Sequence, residues 1–272
     1  MNTTTHIEIA GNGAVLAEKR DHTLLVTLNR PDARNAVNND LMLGVGEALD
    51  QADADPDIWV VVVTGAGDKA FCAGADLKEA AAGRLGKGDP RFDAWGFAGY
   101  VTHHISKPTI AAVNGFALGG GTEIVLASDL AVASETATFG LPEVSRGIIA
   151  GAGGAFRLPR QIPQKIAMEV ILTGQPLSAA RALELGLINR VVPQFQLLDA
   201  AFALADQVCA NAPLAVQTSK RIARGIVDGV VPSEIDDWTR STRETRQLIT
   251  SEDSREGMRA FAEKRQPQWQ GR

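Results

Sequence analysis

Seven residues, Ile58 to Thr64 (IWVVVVT), constrain the fold of this chain more than any other stretch. A half-exposed strand alternates apolar and polar side chains, and four consecutive valines leave no polar alternate to face water. The run predicts a strand buried on both faces, which requires a sheet covered on each side and so an α/β architecture. Gly65-Ala66-Gly67 ends it. A second unit of the same kind follows, with Pro108 to Asn114 (PTIAAVN) as strand, Gly115 to Gly121 as a turn and Thr122 to Ala127 as a short helix. Asp129 to Ala133 and the brief extended piece Thr138-Phe139-Gly140 begin a third, before Leu141-Pro142-Glu143. The recurring order of strand, glycine-rich turn and helix suggests stacked structural turns.

Upstream, Val15 to Ala17 and Leu24 to Leu28 read as a hairpin around the polar break Lys19 to His22. Asn38 to Asp40 offer capping side chains before Leu41, Met42, Val45, Ala48, Leu49 and Ala52, which share one helical face, and Asp55-Pro56-Asp57 closes that helix. From Leu197 the pattern becomes helical throughout, over Leu197 to Asn211, Pro213 to Val227, Ser233 to Thr250 and Ser251 to Phe261. Residues 1–200 are therefore expected to form the core and 201–272 a helical C-terminal region.

Charge and composition exclude several classes of function. Lys plus Arg number 27 against 32 Asp plus Glu, a net charge of −5 that offers no general attraction to nucleic acid or an anionic membrane. The longest charge-free stretch, Pro108 to Thr122, is too short and too rich in glycine to span a bilayer. The start, MNTTTHIEIAGNG, has neither a basic region nor an apolar run of signal-peptide length, so a cytoplasmic chain is expected. Cys72 and Cys209 are too few for a disulfide framework, neither lies in a CxxC motif, and His103-His104 cannot both face one metal from adjacent helical positions. No metal and no cofactor is expected. Gly65 to Lys69 and Gly83 to Gly88 both miss the P-loop spacing, and Phe156 stands where a dinucleotide fingerprint after Gly151 needs its last glycine. Glu143 to Gly147 lacks the first glycine of a hydrolase elbow.

Glycine makes up 27 of the 272 residues, above the usual share of about 7%, and it clusters around residues 65 to 74, 115 to 121 and 147 to 154. In Gly119-Gly120-Gly121-Thr122-Glu123 the glycines allow close backbone approach and open a helix whose first amides are free to meet an oxyanion. Glu123 follows Gly120 by about one turn, so a carboxylate sits on the same face as that amide. Tight packing and a helix-dipole partner are the structural alternatives for these residues. Phe71 to Lys78 (FCAGADLK) is a second glycine turn able to present an amide, and Pro142 fixes the backbone just before Glu143.

Together these pieces resemble the enoyl-CoA hydratase/isomerase (crotonase) superfamily over nearly the whole chain. The agreement runs through Asn29-Arg30-Pro31 with Ala33-Arg34-Asn35-Ala36, Phe71 to Lys78, Ala111 to Glu123, Phe139 to Glu143, Gly151 to Leu158, Leu172-Thr173-Gly174, Ala182 to Val192, and Phe261 to Arg265. The resemblance implies a core of repeated ββα turns, C-terminal helices used in trimerisation, and assembly as a trimer or a dimer of trimers. It implies an acyl-CoA thioester as substrate, coenzyme A being part of that substrate. By resemblance the thioester oxygen is held by the amides of Ala75 and Gly120, Glu123 activates water for attack at Cβ, and Glu143 protonates Cα. Two carboxylates sharing one water repel, so one of the two is expected to have a raised pKa. The family's ligand contacts map onto Ala33 and Arg34 near the CoA phosphates, Ala73, Gly74, Asp76 and Leu77 near the adenine and pantetheine, and Leu141, Phe261 and Lys264. Hydration of a 2-trans-enoyl-CoA to a 3-hydroxyacyl-CoA is the expected reaction. An isomerase, a dehydratase of a specialised acyl-CoA, and a non-catalytic CoA- or RNA-binding relative are the alternatives. Ala150 and Phe156 depart from the family's usual Pro and Gln, and Trp95, Phe97 and Tyr100 lie in a variable stretch able to line an acyl pocket or cover the core.

Overall fold

The computed structural model describes residues 4–272. Among the described residues, eleven strands form two sheets. The larger contains β1 (Thr4–Ile7), β2 (Val15–Arg20), β3 (Thr23–Leu28), β4 (Val60–Gly65), β6 (Thr109–Val113), β8 (Leu130–Ser134) and β11 (Arg190–Val192), in that spatial order. The smaller, ordered β10-β9-β7-β5, contains β5 (Ala70–Cys72), β7 (Phe116–Leu118), β9 (Thr138–Gly140) and β10 (Leu177–Ser178). Successive turns of chain lay one strand in each sheet, as β4 and β5, β6 and β7, and β8 and β9 do, which is the ββα spiral expected. Pairing from β3 through β4, β6 and β8 to β11 is parallel throughout, whereas β1, β2 and β3 are antiparallel.

The valine run behaves as its composition requires. Val61 and Val63 enter the main core with Leu41, Val45 and Leu49 of α1 (Asn39–Ala54). Val60 and Val62 face the other way, beneath Leu197, Ala201 and Leu204 of α8 (Leu197–Cys209). Burial of both faces excludes water from the whole strand. The Asn38 side chain caps α1 by accepting from the Leu41 amide at 3.0 Å. Helix α8 crosses position 200 and closes a core layer, so the separation at 200/201 falls inside a helix.

The glycine turn at 115–121 differs from expectation. It contains β7, because Phe116 to Leu118 pair in parallel with both β5 and β9. Short strands whose neighbours are supplied by distant segments carry no periodicity of their own. The hairpin break is also narrower than the Lys19 to His22 expected, since β2 and β3 pair out to Arg20 and Thr23.

The remaining helices are α2 (Leu77–Ala81), α3 (Arg91–Trp95), α4 (Gly120–Ala127), α5 (Gly154–Gln161), α6 (Gln164–Thr173), α7 (Ala179–Glu184), α9 (Pro213–Arg224), α10 (Ile235–Leu248) and α11 (Glu252–Ala262). No helix among the described residues is long and apolar enough to cross a membrane.

Candidate active site

Because β5, β7 and β9 are parallel neighbours, their C-terminal ends emerge along one edge of the smaller sheet. Three segments leave there: Ala73 to Leu77, Gly119 into α4, and Leu141 into a 3-10 turn over Pro142–Arg146. Thr122 ties two of them together. Its hydroxyl lies 2.6 Å from the Ala117 carbonyl and 2.9 Å from the Gly140 carbonyl, and it accepts from the Gly140 amide at 2.9 Å.

The 73–77 segment is held by Val37, whose amide donates to the Gly74 carbonyl and whose carbonyl accepts from the Asp76 amide, each at 2.8 Å. In such a parallel bridge the intervening Ala75 amide points away from Val37. Gly74, at φ +89°, lies so close to the next loop that a β-carbon there would fall 3.1 Å from the Leu118 oxygen and 3.3 Å from the Gly120 nitrogen. Gly120 opens α4, where an amide has no intrahelical acceptor. Among the described residues neither the Ala75 nor the Gly120 amide meets a backbone carbonyl. Two free donors therefore stand on adjoining loops.

Both belong to the lining of a cavity of about 200 Å³ that also contains Glu123 and Glu143. Glu123 is only 3% exposed, and its Oε1 accepts from the Gly154 amide at 2.9 Å. Glu143 abuts the Gly119 loop, where a β-carbon would fall 2.8 Å from its Oε1, while its Oε2 is buried without a hydrogen-bond partner among the described residues. Burial pushes the Glu123 carboxyl up to about 8, with the charge of Glu143 adding to the effect against the pull of the Gly154 and Ala152 amides. Burial likewise raises Glu143 to about 7, offset in part by its own amide and by Arg146. The expectation that one of the two would be raised is corrected here: both are, because desolvation acts on each before either meets the other's charge. Both shifts favour retention of a proton by the pair near neutral pH.

Ala73, Gly74 and Leu77 line the same cavity, as expected from the sequence, and Asp76 does not. Its carboxylate caps α2 through the Lys78 and Glu79 amides and pairs with Arg30 at 3.0 Å, an arrangement that lowers its pKa despite burial. Arg34 lines a separate cavity of about 150 Å³ with Asp68 and Lys69, joined to the first by the Ala73 amide, which donates to the Arg34 carbonyl at 3.1 Å. Ala33 stands beside it in a 3-10 turn, its amide and carbonyl both used within the loop. Leu141 is buried behind the site, against Gly154. Phe261 and Lys264 line neither cavity; Phe261 reaches the first only through Arg146, whose guanidinium lies 4.4 Å from its ring centroid.

Of the three aromatics in the variable stretch, Phe97 alone lines the cavity, pressed against Gly120, where a β-carbon would meet its ring at 2.2 Å. Trp95 and Tyr100 are buried in the core. Arg146, Ile148 and Ile149 also line the cavity and were not singled out as site residues by the sequence. Their only local signal is that they follow Glu143. Asn35 was legible as part of a motif but not as a scaffold: it is fully buried, donates to the Ala66 and Ala70 carbonyls at 3.0 and 2.8 Å, and accepts from the Arg30 amide at 3.0 Å.

Comparison with known proteins identifies the family. The family described as enoyl-CoA hydratase/isomerase matches residues 18–272. Enoyl-CoA hydratase EchA19 of Mycobacterium tuberculosis is 44% identical over 264 residues, covering 94% of this chain and 96% of its own. Carnitinyl-CoA dehydratase of Salmonella enteritidis is 44% identical over 252 residues, covering 92% and 95%. The crystal structure of carnitinyl-CoA hydratase from Mycobacterium avium superposes with a TM-score of 0.93 at 56% identity, over 95% of this chain and 99% of that one. With the spiral core, the convergent loops and a match along nearly its full length, the chain belongs to the enoyl-CoA hydratase/isomerase family and has the crotonase fold.

Proposed function

We propose that this lyase adds water across the double bond of a 2-trans-enoyl-CoA to give a 3-hydroxyacyl-CoA. The observation that carries the reading is the convergence of a buried glutamate, a half-buried one and two free amides on one cavity. The thioester oxygen accepts from the Ala75 and Gly120 amides, which stabilise the enolate charge that develops there; losing one donor of this kind typically costs ~10²–10³ in rate. Glu123, anchored through one oxygen by the Gly154 amide, takes a proton from water as the oxygen attacks Cβ. Glu143, adjacent to the Gly119–Gly120 loop and so to the carbon next to the thioester, delivers a proton to Cα. Arg34 and Lys69 provide positive charge for the CoA phosphates in the adjoining cavity. The substrate carries the coenzyme, and no further cofactor or metal enters the reaction.

The dehydratase direction is a second reading, since relatives are named for both directions. An isomerase needs one proton shuttle rather than two carboxylates, and the net acidic charge argues against an RNA-binding role.

Glu123→Gln and Glu143→Gln are each expected to lower turnover of crotonyl-CoA or of its 3-hydroxyacyl product by ~10³-fold or more while CoA-ester affinity stays within a few fold, measured by enoyl-thioester absorbance and by calorimetry. Wild-type turnover by either variant removes that residue from the mechanism. Conversion of a 3-enoyl-CoA in place of hydration makes the protein an isomerase. The same reading assigns it to the cytoplasm and to a trimer or dimer of trimers built through its C-terminal helices.

A further inference from the structure

The cavity contains one charged side chain that the hydration chemistry does not use. Arg146 lines it together with Leu77, Leu85, Phe97, Ile148 and Ile149 and with the two glutamates, so a cation stands among mostly apolar groups. Its guanidinium makes no salt bridge and meets no hydrogen-bond acceptor among the described residues. Other arginines withdrawn from water here have partners: Arg157 is bidentate to Glu234 at 3.0 and 2.7 Å, and Arg30 is paired with Asp76. Glu143 is close enough to influence Arg146 electrostatically but does not pair with it. Burial lowers the Arg146 pKa without removing the charge, since an arginine stays protonated in a protein.

The guanidinium is also held in place. Its carbon lies 4.4 Å from the centroid of the Phe261 ring, a cation–π contact that orients the plane and leaves its edge donors uncommitted. The backbone beneath is fixed by α11, where a β-carbon on Gly257 would fall 2.2 Å from the Arg146 carbonyl oxygen. A fixed planar cation with five unused donors matches a carboxylate better than any other common group. The proposed place for the phosphates of coenzyme A is elsewhere, at the cavity that Arg34 and Lys69 line with Asp32 and Asp68, which shares no lining residue with this one.

We propose that Arg146 is a specificity-determining residue that selects acyl-CoA thioesters whose acyl chain ends in a carboxylate and rejects those that end in a cation. The inference deepens the reading of this cavity as an acyl-CoA site. Selection works through both signs: the pair with a carboxylate is formed away from bulk water, and a quaternary ammonium is left beside a like charge. The carnitinyl group for which several relatives are named ends in such an ammonium.

Saturated thioesters separate binding from turnover. Calorimetric titration with glutaryl-CoA, butyryl-CoA and 4-trimethylammoniobutanoyl-CoA is expected to rank the wild type in that order, with glutaryl-CoA ahead of butyryl-CoA by ~10–100-fold. In Arg146→Met the three affinities should converge to within about threefold of one another, and Arg146→Lys should retain part of the preference. Binding of butyryl-CoA by each variant shows that its cavity is formed. Unchanged ratios in Arg146→Met overturn the inference, as does tightest binding of the ammonium thioester by the wild type. A loss of affinity for free coenzyme A equal to that for glutaryl-CoA also overturns it, by assigning the guanidinium to the phosphates. Turnover of the matching 2-enoyl thioesters is scored separately: if none is hydrated while the binding order holds, the hydratase reading fails and the role of Arg146 stands.

Discussion

Glu123 is an acid withdrawn from water inside the candidate site. Its carboxyl is buried and held at about 8, far above an ordinary glutamate, so the ionised form is disfavoured in the folded state. The sign of the stability effect follows from linkage. Below the unfolded value near 4.5 the group is protonated in both states and costs nothing. Between 4.5 and 8 the unfolded chain releases a proton that the folded one retains, so stability falls as pH rises and the full penalty is present above 8. Gln in its place keeps the acceptor for the Gly154 amide and cannot ionise. Glu123→Gln is therefore expected to stabilise the fold by on the order of 3 kcal/mol at pH 7, raising the melting temperature by several degrees. The advantage should shrink toward pH 5 and grow toward pH 8.5 in a series of thermal melts. A gap that does not vary with pH would show that charge is not its origin.

At the scale of elements, the decisive contact is between α11 and the 3-10 turn that bears Glu143. Gly147, at φ +68°, packs against the backbone of Asp253 and Ser254, and Gly257 packs against the backbone of Arg146. Two glycines facing each other across the joint let a helix from the far end of the chain rest directly on main chain, which leaves the turn no room to shift. Gly257→Ala places a methyl inside that contact. Overpacking of this kind costs ~1–3 kcal/mol, and displacement of Glu143 by an ångström is expected to lower kcat by up to ~10²-fold. Thermal melts and turnover measured on one preparation test both parts, and full activity in a destabilised variant would show that the turn holds its position without α11.

For the whole molecule, the proposed assembly rests on what the isolated chain leaves uncovered. Leu214 and Ile222 of α9 are 76% and 77% exposed, and Ile235 of α10 and Ile249 just beyond it are about half exposed. These helices pack their inner faces through polar ties, such as the Lys220 salt bridge to Asp129 at 2.8 Å and Arg160 to Asp237 at 2.5 Å. Their outer apolar residues are left uncovered by the described residues. Leu214→Asp with Ile222→Asp is expected to convert the oligomer to smaller species in light scattering after size exclusion while far-ultraviolet circular dichroism is retained. An unchanged mass would move the interface elsewhere.

The α/β class, the buried valine strand, the capped helix α1 and the C-terminal helices were legible in the residues themselves, because periodicity, capping and β-branching act over short range. Glu123 and Gly120 were linked in the same way, by one helical turn. Other features were decided by tertiary structure. The strand β7 inside a glycine turn depends on edges supplied by β5 and β9, and the removal of Asp76 from the cavity depends on Arg30, 46 residues away. Arg146 carries no motif; its meaning comes from being brought into a largely apolar cavity where, among the described residues, it pairs with neither glutamate. Local sequence determines which backbone shapes are cheap. Desolvation and charge pairing depend on what the rest of the chain places within a few ångströms, and those distances exist only once the spiral has closed.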